Sequence, residues 1–322
     1  MLFTAESVTP RHPDKMCDQI SDLILDITLT SDPEARVAIE TMGGHKEITI
    51  TGELTTKAKF NQTSYIGYIC DLFPELADYN FHFNISKQSP DIAHGVDKGG
   101  AGDQGIMIGY ACNDNEEFLP QEYFLARMLA QRLYKQFPYD GKTQVTIDEK
   151  GVVKAVVASF QNVKRKHLEK AVKNIIKSEK YFINPAGDWN IGGMDADTGL
   201  TGRKLAVDSY GTRIPLGGGA FSGKDSTKVD RSGAYMARRI AVDYLEKYNA
   251  KFVGVKLAYA IGVVQPVMAV ASIVDREGKV QDVKIEGYDL SPKGIIKFLD
   301  LRKPVFVQTA QWGHFGRDFN WK

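Results

Sequence analysis

Hydrophobic and polar positions recur along this chain with two periods. The 3.6-residue spacing of Ile20, Leu23, Ile24 and Ile27 predicts an amphipathic helix. The two-residue alternation in residues 46–54 predicts a half-buried strand. By the same criteria we predict helices at 17–29, 56–72, 119–137, 167–178, 229–248 and 294–299, and strands at 36–41, 46–54, 81–85, 106–111, 142–147, 152–160 and within 252–273.

These elements form strand pairs followed by a helix, and the theme occurs three times. A further strand containing Asp208 is predicted to lead into a glycine-rich loop at residue 217. No linker rich in Pro, Ser or Gly divides the chain. The pattern predicts an α+β protein whose antiparallel sheets are covered on one face by helices.

The composition of the chain restricts the kinds of binding partner and compartment that we expect. The 322 residues include 41 Lys and Arg against 40 Asp and Glu, a net charge of +1. No overall field therefore favours nucleic acid or an anionic membrane. The cysteines Cys17, Cys70 and Cys112 are scattered, which argues against zinc and disulfides and predicts buried thiols. Residues 1–6 do not resemble a signal peptide, so we expect a cytoplasmic protein.

The glycine-rich stretch at residues 217–231 is the clearest candidate for ligand binding. Its glycines let the backbone approach a ligand closely, and they precede three cations, Lys224, Lys228 and Arg231. Asp225 and Asp230 are interleaved with these cations. Cations and exposed backbone amides suit a polyphosphate, and a carboxylate suits its Mg²⁺.

Residues 218–224 match the spacing of a phosphate-binding P-loop, but the next residue does not. A P-loop needs Ser or Thr after the lysine, to ligate Mg²⁺, and this chain has Asp225. We therefore reject a standard P-loop. A solvated glycine loop ahead of a charged helix remains the alternative.

Other candidates lie outside this stretch. Asp103 stands among glycines, and we favour ligand binding over a simple turn role for this residue. His12 and Asp14 stand at the start of a predicted helix, where capping explains Asp14 as well as function does. Trp189, among glycines and polar residues, is a candidate to stack on a base, although most tryptophans belong to a core.

Taken together, these stretches closely resemble the S-adenosylmethionine synthetase (methionine adenosyltransferase) family. The resemblance rests on motifs that fall in the family's order and cover nearly the whole chain. They are ESVT at 6–9, HPDK at 12–15, QSPDI at 88–92, GAGDQG at 100–105, DGK at 140–142, LTGRK at 200–204 and GGGAFSGKD at 217–225.

The resemblance implies three similar α+β domains in a pseudo-threefold arrangement. We place them at residues 1–90, 91–190 and 191–322, and allow strands to exchange between them. It also implies a homodimer with active sites at the subunit interface, or a tetramer built from such dimers.

The implied reaction converts ATP, L-methionine and water to S-adenosylmethionine, phosphate and pyrophosphate. The methionine sulfur attacks C5′ of ATP in line, and the tripolyphosphate is then hydrolysed. A thioether has no proton to lose, so alignment and charge stabilisation replace a general base. A non-catalytic nucleotide-binding subunit of the same fold is the alternative. A phosphotransferase with an unusual P-loop is disfavoured by Asp225.

The resemblance also assigns roles to individual residues. His12 would lie by the ribose and the leaving tripolyphosphate, and Asp103 would hold the substrate ammonium. The implied catalytic set is His12, Lys142, Arg203, Lys224 and Lys228. The implied ATP set is His12, Lys15, Lys142, Trp189, Arg203, Lys204, Lys224 and Ile261. The implied methionine set is Glu53, Gln88, Asp103, Asp197 and Lys228. The implied metal ligands are Asp14 and Asp230 for two Mg²⁺ ions and Glu40 for K⁺.

Three departures from the family pattern stand out. Pro10 and Arg11 replace the usual Glu-Gly before the histidine, and Leu216 replaces a histidine before the three glycines. Residues 94–99 are shorter than the loop that gates the site in relatives. A shorter gate predicts weaker exclusion of water and faster product exchange.

Overall fold

The computed structural model describes residues 1–59, 61–88 and 99–322, and three four-stranded sheets carry the fold in these ranges. The predicted gating segment at 94–99 lies outside the described residues except for Gly99. The first sheet has the order β1-β6-β7-β8. Its strands are β1 (Leu2–Val8), β6 (Gly141–Asp148), β7 (Val153–Phe160) and β8 (Lys180–Ile183).

The second sheet has the order β4-β3-β2-β9. Its strands are β2 (Arg36–Gly44), β3 (Glu47–Thr55), β4 (Asn80–Ser86) and the short β9 (Gly199–Leu200). β2 and β3 pair antiparallel and set Ala38 opposite Glu53, whereas β3 and β4 pair parallel. The first sheet contains a similar parallel pair, β7 and β8.

The third sheet has the order β12-β11-β10-β5 and is antiparallel throughout. Its strands are β5 (Gly105–Cys112), β10 (Phe252–Tyr259), β11 (Met268–Val274) and β12 (Val280–Lys284). In each sheet, therefore, one strand comes from a distant part of the chain: β1, β9 and β5 respectively. The three sheets and their helices confirm the predicted α+β class. The residue bounds of the domains remain a proposal.

Helices cover these sheets. α1 (Pro13–Ser31) packs on β2, α3 (Gln121–Tyr134) on β1 and β6, and α6 (Val229–Lys247) on β5 and β10. The other helices in the described part of the chain are α2 (Gln62–Leu72), α4 (Arg165–Ile175), α5 (Leu205–Asp208), α7 (Pro292–Leu299) and α8 (Phe306–Gln311). α1 also packs against α8, so both of its flanks are covered by other elements.

The buried apolar side chains form two clusters. The larger is shared by the second and third sheets and includes Ile20 of α1 and Val255 of β10. The smaller lies between the first sheet and its helices and includes Val156 and Leu168. α1 therefore lies inside a core common to two sheets, which makes it a rigid support for side chains at its N-terminus.

Most predicted elements are confirmed, but three local predictions are wrong. The helix predicted from residue 56 begins only at Gln62, and Asn61 caps it by accepting amide hydrogen bonds from Thr63 and Ser64. Asp208 ends the short helix α5 instead of belonging to a strand. Residues 2–8, for which no element was predicted, form strand β1.

Candidate active site

The N-terminus of α1 brings His12 and Asp14 together. His12 is the N-cap: its Nδ1 accepts the Asp14 amide hydrogen at 3.2 Å, and Pro13 follows at the first helical position. Both side chains are buried. His12 therefore caps the helix, and the Asp14 carboxylate interacts with other groups.

Those partners come from the LTGRK motif. Asp14 Oδ1 accepts the Leu200 amide hydrogen at 3.0 Å and lies 3.5 Å from Arg203 Nε, and Oδ2 is 2.5 Å from Lys204 Nζ. Burial alone would raise the pKa of Asp14, but the Lys204 and Leu200 hydrogen bonds hold it below its usual value. Asp14 is therefore an anion beside two cations.

His12 is neutral in this setting. Burial, with the positive charges of Lys204 and Lys142, lowers the pKa of His12 to about 3. Lys142 reaches this region because it pairs with Val8 in the β1–β6 ladder, and it is exposed. Because Nδ1 accepts the Asp14 amide hydrogen, the neutral ring carries its proton on Nε2.

Asp140, two residues before Lys142, is a member of this region that the sequence did not single out. It is buried, and its Oδ2 accepts the Gly193 amide hydrogen at 3.0 Å. Burial raises the pKa of Asp140 to about 6, against the opposing effects of Gly193 and Lys142. The only sequence signal for Asp140 was its position at the start of the DGK motif. A turn formed by Asp140 and Gly141 explained that signal equally well.

Trp189 and Asp197 flank the same region. Trp189 is half-buried, and a Cβ at Gly192 would lie 2.7 Å from its ring, so glycine is needed there. The indole Nε1 is buried and has no hydrogen-bond partner among the described residues. Asp197 is exposed and accepts the Thr198 amide hydrogen at 2.8 Å.

Lys15 differs from the other predicted ATP contacts. Its side chain is fully buried, and its ammonium lies 3.0 Å from Asp18 Oδ2 and also pairs with Asp208. Burial alone would lower the pKa of Lys15, but the two carboxylates outweigh it and raise the pKa above its ordinary value. With its donors occupied inside the core, Lys15 is not available to phosphates, and we remove it from the ATP-binding set.

The glycine loop is anchored on strand β2. The Ile39 amide donates to Gly223 O, the Asp225 amide donates to Val37 O, and the Val37 amide donates to Asp225 Oδ2 at 2.7 Å. Gly223 has a φ of +80°, and a Cβ there would lie 1.8 Å from Ile39 O. Asp225 therefore holds the loop on the sheet, which accounts for the absence of a P-loop hydroxyl.

Two lysines of this loop pair with acids. Lys224 Nζ lies 2.5 Å from Asp230 Oδ2, and Lys228 Nζ lies 2.6 Å from Asp225 Oδ2. All four side chains are buried or only partly exposed. The third cation, Arg231, points into the core and pairs with Asp22, so the expectation that it faces a ligand is wrong.

Asp230 lies where the glycine loop meets β5. A Cβ at Gly219 would lie 2.2 Å from Asp230 Oδ1, and a Cβ at Gly105 would lie 3.6 Å from the same atom. Asp103, just before Gly105, is exposed and accepts the Gln104 amide hydrogen at 2.7 Å. Ile261 is 57% exposed and is bridged to Ala101 in the same corner.

The remaining predicted residues lie on the second sheet. Glu53 faces Ala38 of β2, and Ala38 is bridged on its other side to Lys224 of the glycine loop. The Gln88 amide donates to Thr55 Oγ1 at 3.1 Å, and Gln88 Oε1 accepts no hydrogen bond from the described residues. Glu40 is exposed in the middle of β2.

Most of the predicted residues thus fall into two groups within one chain. We call the first the α1 group: His12, Asp14, Lys142, Trp189, Asp197, Arg203 and Lys204. We call the second the loop group: Glu53, Asp103, Lys224, Lys228, Asp230 and Ile261. Gln88 lies in neither group, because it lines a separate cavity with Asp32, Arg36 and Thr55. The groups adjoin where Gly202 meets Ala220, since a Cβ at Gly202 would lie 2.6 Å from that of Ala220.

Arg11 takes no part in either group. Its guanidinium lies 2.5 Å from Glu75 and over the ring of Phe73, at 4.9 Å from the centroid. It lines a cavity of about 320 Å³ together with Asp140 and Gly193. The departure at this position therefore adds a contact between the α1 N-terminus and the segment after α2.

Two features are absent from the described residues. Among the described residues, no three or more His, Cys, Asp or Glu side chains are grouped to hold a metal ion by themselves. In the same ranges, no helix combines the length and the apolar character that crossing a bilayer requires.

Comparison with known families accounts for almost the whole chain. The family model for the S-adenosylmethionine synthetase N-terminal domain matches residues 1–90. The central-domain model matches residues 98–189, and the C-terminal-domain model matches residues 191–322. The three matches follow one another in chain order. The chain therefore belongs to the S-adenosylmethionine synthetase family.

Proposed function

We propose that this protein is a methionine adenosyltransferase, which converts ATP, L-methionine and water to S-adenosylmethionine, phosphate and pyrophosphate. The observation that carries the proposal is that neutral His12 and five partly exposed or exposed cations lie around the carboxylates of Asp14, Asp225 and Asp230. The five cations are Lys142, Arg203, Lys204, Lys224 and Lys228. Such a site suits a polyphosphate leaving group, and its described residues include no activated nucleophile.

The sulfur of methionine attacks C5′ of ATP, the S–C bond forms as the C5′–O bond breaks, and the tripolyphosphate leaves with the electron pair. The sulfur loses no proton, so no base is needed. His12 Nε2 carries a proton and would donate a hydrogen bond to the departing oxygen. Its lowered pKa keeps the ring neutral, so the hydrogen bond does not depend on pH near neutrality.

The lysines and the arginine would receive the phosphates. In the protein alone, Lys204 pairs with Asp14 and Lys224 pairs with Asp230. Binding of the anion would exchange these partners for phosphate oxygens, and the cations would already be aimed at the site. This preorganisation favours the transition state, where negative charge builds on the leaving group.

Asp14 and Asp230 are suited to Mg²⁺. Mg²⁺ usually takes one or two protein carboxylates and completes its shell with phosphates and water, so a preformed cluster of acids is not required. Asp14 is ionised, and Asp230 Oδ1 faces the glycines Gly219 and Gly105. When bound, Mg²⁺ supplies positive charge that neutralises phosphate oxygens. We assign two Mg²⁺ ions to these carboxylates, and K⁺ to the exposed Glu40.

We place methionine against Glu53, Gln88, Asp103, Asp197 and Lys228, with the Asp103 carboxylate on the substrate ammonium. The unsatisfied Gln88 Oε1 supports a ligand contact there. Adenine would stack on Trp189, and Ile261 would cover the adenosine. The unpaired Trp189 Nε1 supports this role.

We propose a homodimer in which the α1 group of one protomer faces the loop group of its partner. An exposed surface, called here the apolar face, supports this arrangement. It consists of Ile106, Leu216, Ile261, Val263, Val264, Val267 and Met268. Ile106 and Met268 both flank Ala258 across neighbouring strands, so the face is continuous. Leu216, where relatives have a histidine, adds to it. Exposed apolar patches of this kind mark protein interfaces.

A non-catalytic nucleotide-binding subunit remains the alternative, and dependence on methionine separates the two. The test is to incubate the protein with ATP, Mg²⁺ and K⁺, with and without methionine, and to follow the sulfonium product by mass spectrometry. S-adenosylmethionine formed only with methionine supports the enzyme. ATP binding without product, in a protein of normal fold, supports the alternative.

A further inference from the structure

Four aspartates on α1 are spaced by four residues and lie on one stripe of the helix. They are Asp14, Asp18, Asp22 and Asp26. The first three are buried, and Asp26 is half-buried. Like charges at this spacing repel one another, and burial adds a desolvation cost. The stripe is therefore stable only because other parts of the chain supply partners.

Those partners are backbone amides from distant segments. Asp14 accepts from Leu200 at 3.0 Å, and Asp18 accepts from Gly202 at 2.8 Å. Further along, Asp22 accepts from Gly223 at 2.8 Å. Asp26 accepts from two amides at the start of α8, Phe306 at 3.0 Å and Val307 at 2.9 Å.

Two of these segments carry the proposed phosphate contacts. Leu200 and Gly202 belong to the segment that presents Arg203 and Lys204, and Gly223 directly precedes Lys224. Of the four aspartates, only Asp26 binds a segment that carries no proposed phosphate-binding cation. The stripe therefore joins both cation-bearing segments to a single helix.

Buried cations complete the two central attachments. Lys15 lies between Asp18 and Asp208, and Asp208 ends the helix that follows Lys204. Arg231 pairs with both oxygens of Asp22 and also donates to Lys224 O at 3.1 Å. Asp14, Lys15 and Asp18 thus hold residues 200–208 on α1, whereas Asp22 and its partner Arg231 hold residues 223–224.

We propose that Asp18 and Asp22 are positioning residues, which fix the two cation-bearing segments on α1 so that Lys204 and Lys224 are each held in place to contact phosphate oxygens. The inference rests on the proposed function. Neither carboxylate touches the substrate, and both act through the backbone. Catalytic groups lose effectiveness when misplaced by about 1 Å, so loosening either segment weakens phosphate binding.

The test measures binding of inorganic tripolyphosphate, with Mg²⁺ present, by calorimetry on the full chain. Asp18→Ala removes the acceptor for the Gly202 amide hydrogen. We expect the dissociation constant of tripolyphosphate from this variant to rise about tenfold or more. Asp18→Asn keeps an oxygen for that amide and restores affinity to within about threefold. Asp26→Ala is the matched control, since it also removes a carboxylate of the stripe that accepts backbone amide hydrogens. We expect this variant to bind tripolyphosphate with wild-type affinity.

Amide hydrogen exchange provides the second readout. Asp18→Ala should speed exchange at residues 200–204 and leave residues 223–224 unchanged, whereas Asp26→Ala should speed exchange at residues 306–307 only. If Asp18→Ala fails to fold, Asp18→Glu replaces it, because it keeps the charge for Lys15 and displaces the carboxylate by one methylene. The same loss of affinity is expected.

Two outcomes separate this inference from the proposed function. Wild-type protein that binds no tripolyphosphate contradicts the proposed function, and the inference falls with it. Wild-type protein that binds, together with folded Asp18→Ala or Asp18→Glu of equal affinity, overturns the positioning role alone.

Discussion

Asp22 of α1 and Arg231 of α6 form a two-point ion pair with no exposure to solvent. Arg231 Nη1 lies 2.7 Å from Asp22 Oδ1, and Nη2 lies 2.8 Å from Oδ2. The pair joins the helix that carries His12 to the helix that follows the glycine loop. Such a pair costs desolvation energy to form, but removing one partner strands a buried charge.

We predict that Arg231→Met destabilises the fold strongly, by about 3–5 kcal/mol, because Asp22 is left without its counter-ion. Arg239→Met is the control on the same helix, since Arg239 is 38% exposed and pairs with Asp243 on the surface. That change should cost less than about 1 kcal/mol. Guanidinium unfolding of both variants measures the difference, and equal losses would refute the buried-pair argument.

We predict that Lys224→Ala and Asp230→Ala each lower product formation by about a hundredfold or more and leave the fold intact. Both side chains lie at the border of the site, 22% and 13% exposed, so neither loss opens a core cavity. Lys173→Ala, which breaks an exposed pair with Glu169, is the control and keeps full activity. Normal turnover in Lys224→Ala would show that the phosphates lie elsewhere.

A pH dependence of stability follows from Asp26. Burial raises its pKa to about 7, with Asp22 adding to the rise and the Phe306 and Val307 amides and Arg231 opposing it. Because the folded pKa lies above the unfolded value, the contribution of Asp26 to stability is complete at about pH 4 and is lost as pH rises through 7.

Asp26→Asn removes this dependence. Its stability relative to wild type should therefore increase between pH 4 and pH 8, by about 2–4 kcal/mol. Chemical unfolding at a series of pH values measures the two curves. A difference that is constant with pH would mean that Asp26 titrates at its ordinary value in the folded protein.

The apolar face gives a prediction about assembly. Val267→Glu places a charge on this face, so the protomers should separate and activity should fall with the loss of the shared site. Val280→Glu is the matched control: Val280 is 64% exposed, close to the 66% of Val267, but lies on β12 outside the face. Analytical ultracentrifugation reads out the mass. A dimer unaffected by Val267→Glu would place the interface elsewhere.

Local patterns predicted most of the elements but not what joins them. The helix periodicity at Ile20 and Ile24 and the alternation at Ile48 and Ile50 identified α1 and β3 correctly. β1 was missed because its pairing partner, β6, lies about 140 residues away, as Thr4 paired with Thr146 illustrates. A half-polar strand at the chain terminus carries little local signal.

The candidate site shows the same limit. The motifs pointed to His12, Asp14 and Lys224, and the structure gives these residues charged neighbours. The four-residue spacing of the α1 aspartates was visible in the sequence, but their amide partners are 184 to 281 residues away. For that reason Lys15 was read as a phosphate contact and Arg231 as a loop cation, whereas both are buried partners of this stripe.

The stoichiometry of a single reaction mixture decides whether the protein is a methionine adenosyltransferase. Purified protein is given ATP, methionine, Mg²⁺ and K⁺, and S-adenosylmethionine, pyrophosphate and phosphate are quantified over time. We expect the three products in equal amounts with methionine and none of them without it. Phosphate released from ATP without methionine, or ATP left intact in its presence, would contradict the proposed activity.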